Sequence, residues 1–396
     1  LDEFWKQGTP ENGFNGSYVS YEGQKTINQF ECCLSSLFLN YSNQVYSPFE
    51  MLDFFYSKQE DNGAIRADYS VENGQAVFSE NNPEGVVLPL FAFVEYLFYH
   101  KIGNKKRMKD IVPVLEKYFM WLKDNFQKEN GLFAVPVSSC LTGEIPREKT
   151  VYPVDFNAMM ALNALYMSNI GDVLNNKELS FRFKRFYFGL KTRINSLMWD
   201  DETHFYYDLD KDENRLPLKL VGAYWTMLAE IPNDESASYM IEFLKDPEVF
   251  GTDNPFPTVS KDSPCFREDG KGFCGAVLPF NTYGIIKGLE KYGEYVFGRE
   301  CAIRHLYFIL DVLHPEEGKT GDVWEAYLPN KEGVPAHEEG DIFPRKKFLP
   351  QVCLATITLM IEDVIGLDIS LSKNTVNWVV PSLEAMGIEN LSLKRN

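Results

Sequence analysis

Positive charge is what this 396-residue chain has least of: 39 Lys and Arg stand against 57 Asp and Glu, a formal charge of −18. A surface of that sign repels phosphate backbones and anionic headgroups, so nucleic-acid and membrane partners are disfavoured and a neutral or cationic small molecule is easier to accommodate. Histidine is also scarce. The five His are dispersed, and the HEE run at His337 lacks the second histidine of a zinc-protease helix. The acidic run Asp208, Asp210, Asp212 begins like a calcium loop, but Glu213 replaces the turn glycine and Lys219 stands where the closing Glu belongs, which leaves a solvated hairpin turn. No nucleophile elbow, phosphate-binding glycine loop or dinucleotide fingerprint occurs, so the commonest hydrolase, kinase and Rossmann chemistries are excluded and neither metal nor cofactor is called for. The longest apolar stretch, VVLPLFAFVEYLFY at 86–99, is broken by Pro89 and Glu95 and is too short to cross a bilayer; it reads as a buried helix. Seven scattered cysteines match no zinc spacing and read as free, buried thiols.

Helical periodicity is abundant. In RMKDIVPVLEKYFMWLKDNF, Met108, Ile111, Val112, Leu115, Tyr118, Phe119 and Leu122 recur at helical spacing with charges between them. Comparable patterns near 28–39, 47–59, 86–101, 154–170, 177–199, 219–230, 234–245, 278–292, 294–313 and 348–366 bring the expected total to about eleven or twelve helices. Strand signals are confined to HFYYDLDKDENRLPLKL at 204–220 and TVNWVV at 375–380, which suit small hairpins on a helical body. No linker or strict repeat cuts the chain, so residues 1–396 are expected to form one all-α domain, with residues 1–25 an extended segment packed on it. Helices paired into antiparallel hairpins suggest a closed ring or a superhelical stack. Several long aromatic loops favour a ring with a pocket at one end, an (α/α)6 toroid of six hairpins with β-hairpins in its loops.

With other chemistries thinned out, carboxylates remain. GDVWEAYLPNKEG places Glu325 between Trp324 and Tyr327. Paired carboxylates among aromatic side chains are what glycoside hydrolysis needs, because one acid protonates the leaving oxygen while the other activates water or attacks.

The order of several segments then becomes informative: FFYSKQEDNGAIR at 54–66, VYPVDFNAMMALNALYM at 151–167, MWDDETHFYYDLD at 198–210, FGTDNPFPTVS at 250–260 and VWEAYLP at 323–329. In these the chain resembles the (α/α)6-barrel inverting glycosidases, a group that includes trehalases, mannosylglycerate hydrolases and processing glucosidases, and most closely the bacterial mannosylglycerate-hydrolase-like members. The resemblance implies hydrolysis of a small α-linked saccharide or glycoside with inversion, Glu325 being the general base of a W-E-x-Y segment. Trp324 and Tyr327 would limit solvent access and line the sugar site. Arg66 and Arg147 match family positions where an arginine anchors a hydroxyl or carboxylate; the competing reading is a structural ion pair.

The family's general acid is an Asp in an S-G-M-D-N-x-P-R-like segment, and here that stretch reads SSCLTGEIPR, residues 138–147. The Asp position falls on Thr142 or Gly143, beside Glu144. Three readings compete: Glu144 supplies the proton, its pKa raised by partial burial; Asp155 is recruited from a helix start, where its ordinary role is capping; or hydrolysis has been lost. Other family positions depart as well. Phe30 and Glu31 stand for a W-D pair, Gly272, Phe273, Cys274 and Gly275 for Y-W-R-G, and Phe348 to Gln351 for F-x-G-W, so Glu31 and Phe273 become candidate sugar contacts and the familiar substrate is not expected. Rival readings are a catalytically silent sugar-binding member and a sugar epimerase or polysaccharide lyase on an α/α barrel. The chain starts at Leu1 with no signal peptide visible, so the expectation is a soluble protein, cytoplasmic or exported after removal of an upstream segment.

Overall fold

A computed structural model describes residues 1–140, 143–314, 321–380, 386–391 and 393. Two kinds of helix build it, and burial tells them apart. The inner helices α1 (Gln29–Leu39), α3 (Phe91–Ile102), α5 (Val154–Val173), α7 (Trp225–Leu228), α9 (Pro279–Lys291) and α11 (Leu349–Cys353) are apolar on nearly every face. A helix that is hydrophobic all round must be enclosed by its neighbours. The outer helices α2 (Glu50–Ser57), α4 (Lys105–Phe126), α6 (Lys177–Arg193), α8 (Asp234–Lys245) and α10 (Tyr295–Leu313) bury one stripe each. In α4 that stripe includes all seven residues singled out by their spacing.

The inner elements pack in chain order, α1 on α3, α3 on α5, α5 on α7, α7 on α9, α9 on the continuation of α11, and α11 back on α1. This ring is an (α/α)6 toroid, with five outer helices among the described residues. Because every inner helix runs in the same direction, their N-termini gather at one end and their C-termini at the other.

Local chemistry explains the boundaries. Asn28, Asn104, Asn176 and Asn233 cap α1, α4, α6 and α8 with their side chains, and Gly103 ends α3 at φ 77°. Three expected helices differ in detail. Residues 86–90 form no regular structure and α3 starts only at Phe91, since Pro89 disfavours helical geometry at the residue before it. The segment 219–230 is a 3-10 turn, Val221–Tyr224, running into the short α7. α11 passes after five residues into a π-helix, Leu354–Val364.

Small antiparallel hairpins decorate the ring: β1 (Trp5–Gln7) with β2 (Ser17–Val19); β3 (Thr26–Asn28), β4 (Asp68–Ser70) and β5 (Ala76–Val77) as one sheet; β6 (Trp199–Asp200) with β7 (Phe205–Tyr206); and β8 (Leu367–Ser370) with β9 (Thr375–Trp378). The β1–β2 segment lies on α2, where Phe14 stacks on Phe54 at 3.5 Å and Glu50 accepts from the Ser17 N–H at 2.5 Å. Glu95, the charge inside the apolar stretch, is buried but doubly bonded to Arg107 at 3.0 and 2.7 Å and to the Tyr56 hydroxyl at 2.9 Å.

The β3–β4 pairing sets Asn28 opposite Asp68, and Asn28 turns the chain into α1 by accepting from the N–H groups of Phe30 and Glu31 at 2.9 and 3.2 Å. Asn28→Ala is expected to lower stability by about 1 kcal/mol. Comparison of denaturation midpoints with the wild type checks this.

Candidate active site

At the N-terminal end of the ring the axis is filled rather than open. Phe30 of α1 meets Phe280 of α9 edge-on at 5.2 Å, and Phe280 lies nearly parallel to Trp225 of α7 at 6.1 Å. Two small cavities remain, with Leu88 in the wall of both. One, about 90 Å³, is lined by Glu31, Cys140, Arg345 and Gln351; the other, about 20 Å³, by Arg147, Asp155, Trp225 and Asn281. Larger concavities, about 810, 560 and 450 Å³, involve neither Glu31 nor Glu325.

Glu325 is buried in a two-stranded ribbon. Its N–H donates to the Arg345 carbonyl at 3.0 Å, and the isolated bridge between Trp324 and Lys346 continues the pairing. The Glu325 carboxylate takes three hydrogen bonds from that one residue: Oε2 from the Arg345 N–H and Nε, both at 3.0 Å, and Oε1 from Nη2 at 2.6 Å. An ionised carboxylate has about four acceptor positions, so roughly one is left, on Oε1. The same guanidinium donates through Nη1 to Glu31 Oε1 and lies 3.9 Å over the Phe348 ring and 5.2 Å over Tyr21.

Arg345 therefore joins two carboxylates from opposite ends of the chain. Asp68, which accepts from Asn28 and Thr26, is a third carboxylate nearby. One guanidinium cannot neutralise three carboxylates in a buried wall. Burial raises the Glu31 pKa, the negative charges of Glu325 and Asp68 add to the rise, and Arg345 opposes it. Asp68 is raised as well, chiefly by burial. Gln351, from α11, brings an amide oxygen that finds no hydrogen-bond partner among the described residues.

The other candidates are placed differently. Arg147 is buried and bonded to Asp155 at 3.0 and 3.1 Å and to Asp208 at 2.8 and 3.2 Å. Burial would raise the Asp155 carboxyl, but the charge and hydrogen bonds of Arg147, with the Cys140 thiol and the Phe156 N–H, hold it below the ordinary value. A carboxylate kept ionised in this way is poorly suited to donate a proton. Gly222 makes room for it, since a Cβ there would lie 2.9 Å from that of Asp155.

Glu144 is exposed, so the burial expected of a general acid is absent. Its N–H donates to the Gly272 carbonyl at 2.8 Å, and its carboxyl group lies where a Cβ on Gly272 would be, 2.4 Å away. Thr142 lies outside the described residues. Phe273 stacks on Phe343 at 3.7 Å, which ties its turn to the Arg345 loop. Arg66 spends its guanidinium on Glu60, at 2.6 Å twice, and on Glu84.

Tyr327 is wholly buried, its hydroxyl accepting from the Trp324 N–H at 3.3 Å, whereas Trp324 is half-buried beside His337. His204, in the β6–β7 turn, stacks on the exposed Tyr239 at 3.8 Å. Arg345 and Asp68 were not singled out from the sequence, and Gln351 entered only as the last residue of the segment standing for F-x-G-W. The available signal was FPRKKF, three successive cations in an otherwise acidic loop.

The ring of inner helices gives the fold class, and the relatives of the chain give its family: it belongs to the (α/α)6 glycoside hydrolases related to mannosylglycerate hydrolase and trehalase. Residues 141–336 match the mannosylglycerate hydrolase MGH1-like glycoside hydrolase domain, and residues 366–396 match the trehalase C-terminal domain. An uncharacterized protein of Borreliella burgdorferi is 46% identical over 373 residues, 93% of this chain and 78% of that protein. A cytosolic neutral trehalase of Kluyveromyces lactis is 40% identical over 130 residues, 30% of this chain and 16% of the trehalase. Among solved structures, a GH63 mannosylglycerate hydrolase of Thermus thermophilus in complex with glucose superposes with a TM-score of 0.67 at 17% identity, covering 86% of this chain and 95% of that one. Neutral trehalase of Saccharomyces cerevisiae gives 0.63 at 14% identity, covering 89% and 76%.

Proposed function

We propose that the chain hydrolyses a small α-linked saccharide or glycoside with inversion, with Glu325 as the general base and Glu31 as the general acid. The observation that carries this reading is the shared guanidinium. Glu31 and Glu325 face one another across Arg345, and burial, together with the charges of Glu325 and Asp68, raises the Glu31 pKa, the direction a general acid needs. Inverting enzymes hold their two carboxyl groups roughly 6.5–9.5 Å apart with a water between them. Here the Arg345 guanidinium lies between the two carboxyl groups.

The remaining space, about 90 Å³, is smaller than a sugar ring, so substrate entry requires the Arg345 loop to withdraw. Withdrawal frees both carboxyl groups together and leaves the amide oxygen of Gln351 to accept from a sugar hydroxyl. Glu144 and Asp155 suit the acid role less well, the first for its exposure and the second because Arg147 holds its pKa below the ordinary value, whereas that of Glu31 is raised despite Arg345.

A second reading, a catalytically silent saccharide-binding member, is favoured by one observation: Arg345 already fills three acceptor positions of Glu325. Time-resolved proton NMR on a panel of α-linked disaccharides and α-glycosides separates the two. The hydrolytic reading expects a β-configured sugar to appear first, while saturable binding without product supports the silent one. Where turnover is seen, the rate should fall as pH rises through the raised pKa of Glu31, because the general acid must be protonated.

A further inference from the structure

The opposite end of the ring carries a second polar cavity, of about 450 Å³, within the range of small-molecule sites. Its walls come from the C-terminal parts of α1, α3 and α9, from the π-helix and from β8–β9. They include Asn40, Lys101, Tyr283, Lys287, Thr358 and Glu362. Two observations of different kinds point to a ligand.

The first is a pair of orphaned atoms. Asn40 and Thr358 are each 2% exposed, and among the described residues Asn40 Oδ1 and Thr358 Oγ1 have no hydrogen-bond partner. Buried polar atoms are nearly always paired, and leaving them unpaired is costly. The two residues, one at the C-terminal cap of α1 and the other in the π-helix, line the same cavity.

The second is the charge pattern. Lys101 Nζ lies 3.1 Å from Glu362 and 3.5 Å from Asp368. Lys287 Nζ lies 2.8 Å from Asp363, 3.0 Å from Glu290 and 3.1 Å from Glu362. Although burial works against ionisation, the charges of Lys101 and Lys287 hold the Glu362 carboxyl at about 2. The wall carries both signs, with the ammonium groups of Lys101, Lys287, Lys291 and Lys373 beside the carboxylates of Glu290, Glu362 and Asp368. Hydroxyl groups both donate and accept, so they satisfy either sign as well as the Asn40 oxygen, which can only accept. The π-helix, a rare form found most often at functional sites, sets Thr358 and Glu362 along the wall.

We propose that this cavity binds a neutral polyhydroxylated molecule of monosaccharide size, at the end of the ring opposite Glu325. The proposal does not depend on hydrolysis. It is tested by NMR titration of the full chain with D-glucose, D-mannose and, separately, inorganic phosphate. Three variants are compared: Thr358→Val, which removes the hydroxyl and keeps the volume; Asn377→Trp, at an exposed rim position on β9, which obstructs the mouth without disturbing the interior; and Glu31→Gln, which alters only the other end.

The expected result is saturable sugar binding that persists in Glu31→Gln, weakens at least about tenfold in Thr358→Val and is lost in Asn377→Trp. If Thr358→Val does not fold, Asn377→Trp alone decides. The proposal is overturned by any of four outcomes: no saturable binding of either sugar, binding lost in Glu31→Gln but intact in Asn377→Trp, preferential binding of phosphate, or a folded Thr358→Val with unchanged affinity.

Discussion

Glu325→Gln is expected to lower hydrolysis by about 10²–10⁴-fold, the usual contribution of a positioned acid–base group, while leaving saccharide affinity within a few-fold of the wild type. The amide is nearly isosteric. Its oxygen in the Oε2 position keeps the two bonds from the Arg345 N–H and Nε, whereas its NH₂ would face Nη2 and lose the third. The loop is therefore loosened but not released, and the loss of rate reports the missing base.

A second readout distinguishes chemistry from damage to the fold. Glu325 is one of the charges that raise the Glu31 pKa, so neutralising it should move the Glu31 titration, followed by carboxyl ¹³C NMR, toward the ordinary value. A lost rate with an unmoved Glu31 titration would break the proposed pairing. Equal hydrolysis by variant and wild type would remove Glu325 from the mechanism.

The largest loss of stability is expected at Arg147. Asp155 and Asp208 are both buried, and Arg147 supplies four of their hydrogen bonds. Arg147→Met leaves two carboxylates without their counter-ion, and breaking a buried pair in this way costs about 3–5 kcal/mol. Arg147→Lys should recover little, because one ammonium cannot reproduce a planar fork holding two carboxylates.

The pH dependence follows from the direction of the shift. The Asp155 pKa is lowered in the folded protein, so its contribution is fully present above the unfolded value near 3.8 and is lost as pH falls through the lowered one. The difference in melting temperature between wild type and Arg147→Met should therefore narrow in acid. Scanning calorimetry at a fixed scan rate between pH 7 and strongly acidic buffer checks both statements, and a gap that widens on acidification would contradict the assignment.

These residues also mark how far a sequence can be read. The stripe of α4 is a local pattern legible in the sequence, and the long aromatic loops favoured a ring, whereas the enclosure of α5 on every side belongs to the fold. Glu325 was legible for a different reason: its W-E-x-Y segment keeps a family pattern whose residues are adjacent in the chain. Its partners were not. Arg345 lies 20 residues further on in FPRKKF, where no periodicity indicates that its side chain turns inward, and Glu31 is 314 positions from Arg345. Arg66 and Arg147 matched family positions equally well, yet Arg66 turns to Glu60 and Glu84 while Arg147 lines the smaller cavity bonded to Asp155 and Asp208, a difference that residue types alone do not encode. Glu144 shows the converse, an acid near the expected position in sequence whose side chain rests on Gly272 at the surface.

The joint between α1 and the last inner element has a kinetic meaning. It is stitched near both ends by contacts that span almost the whole chain, Arg345 to Glu31 at one end and the Tyr41 hydroxyl to Glu362 at the other. During synthesis, α1 leaves the ribosome hundreds of residues before its neighbour on that side exists. Its apolar flank must wait exposed, because contacts of such sequence separation form slowly. The acidic residues that close the joint are then joined last, so the carboxylate pair proposed for catalysis is assembled only when the ring itself is complete.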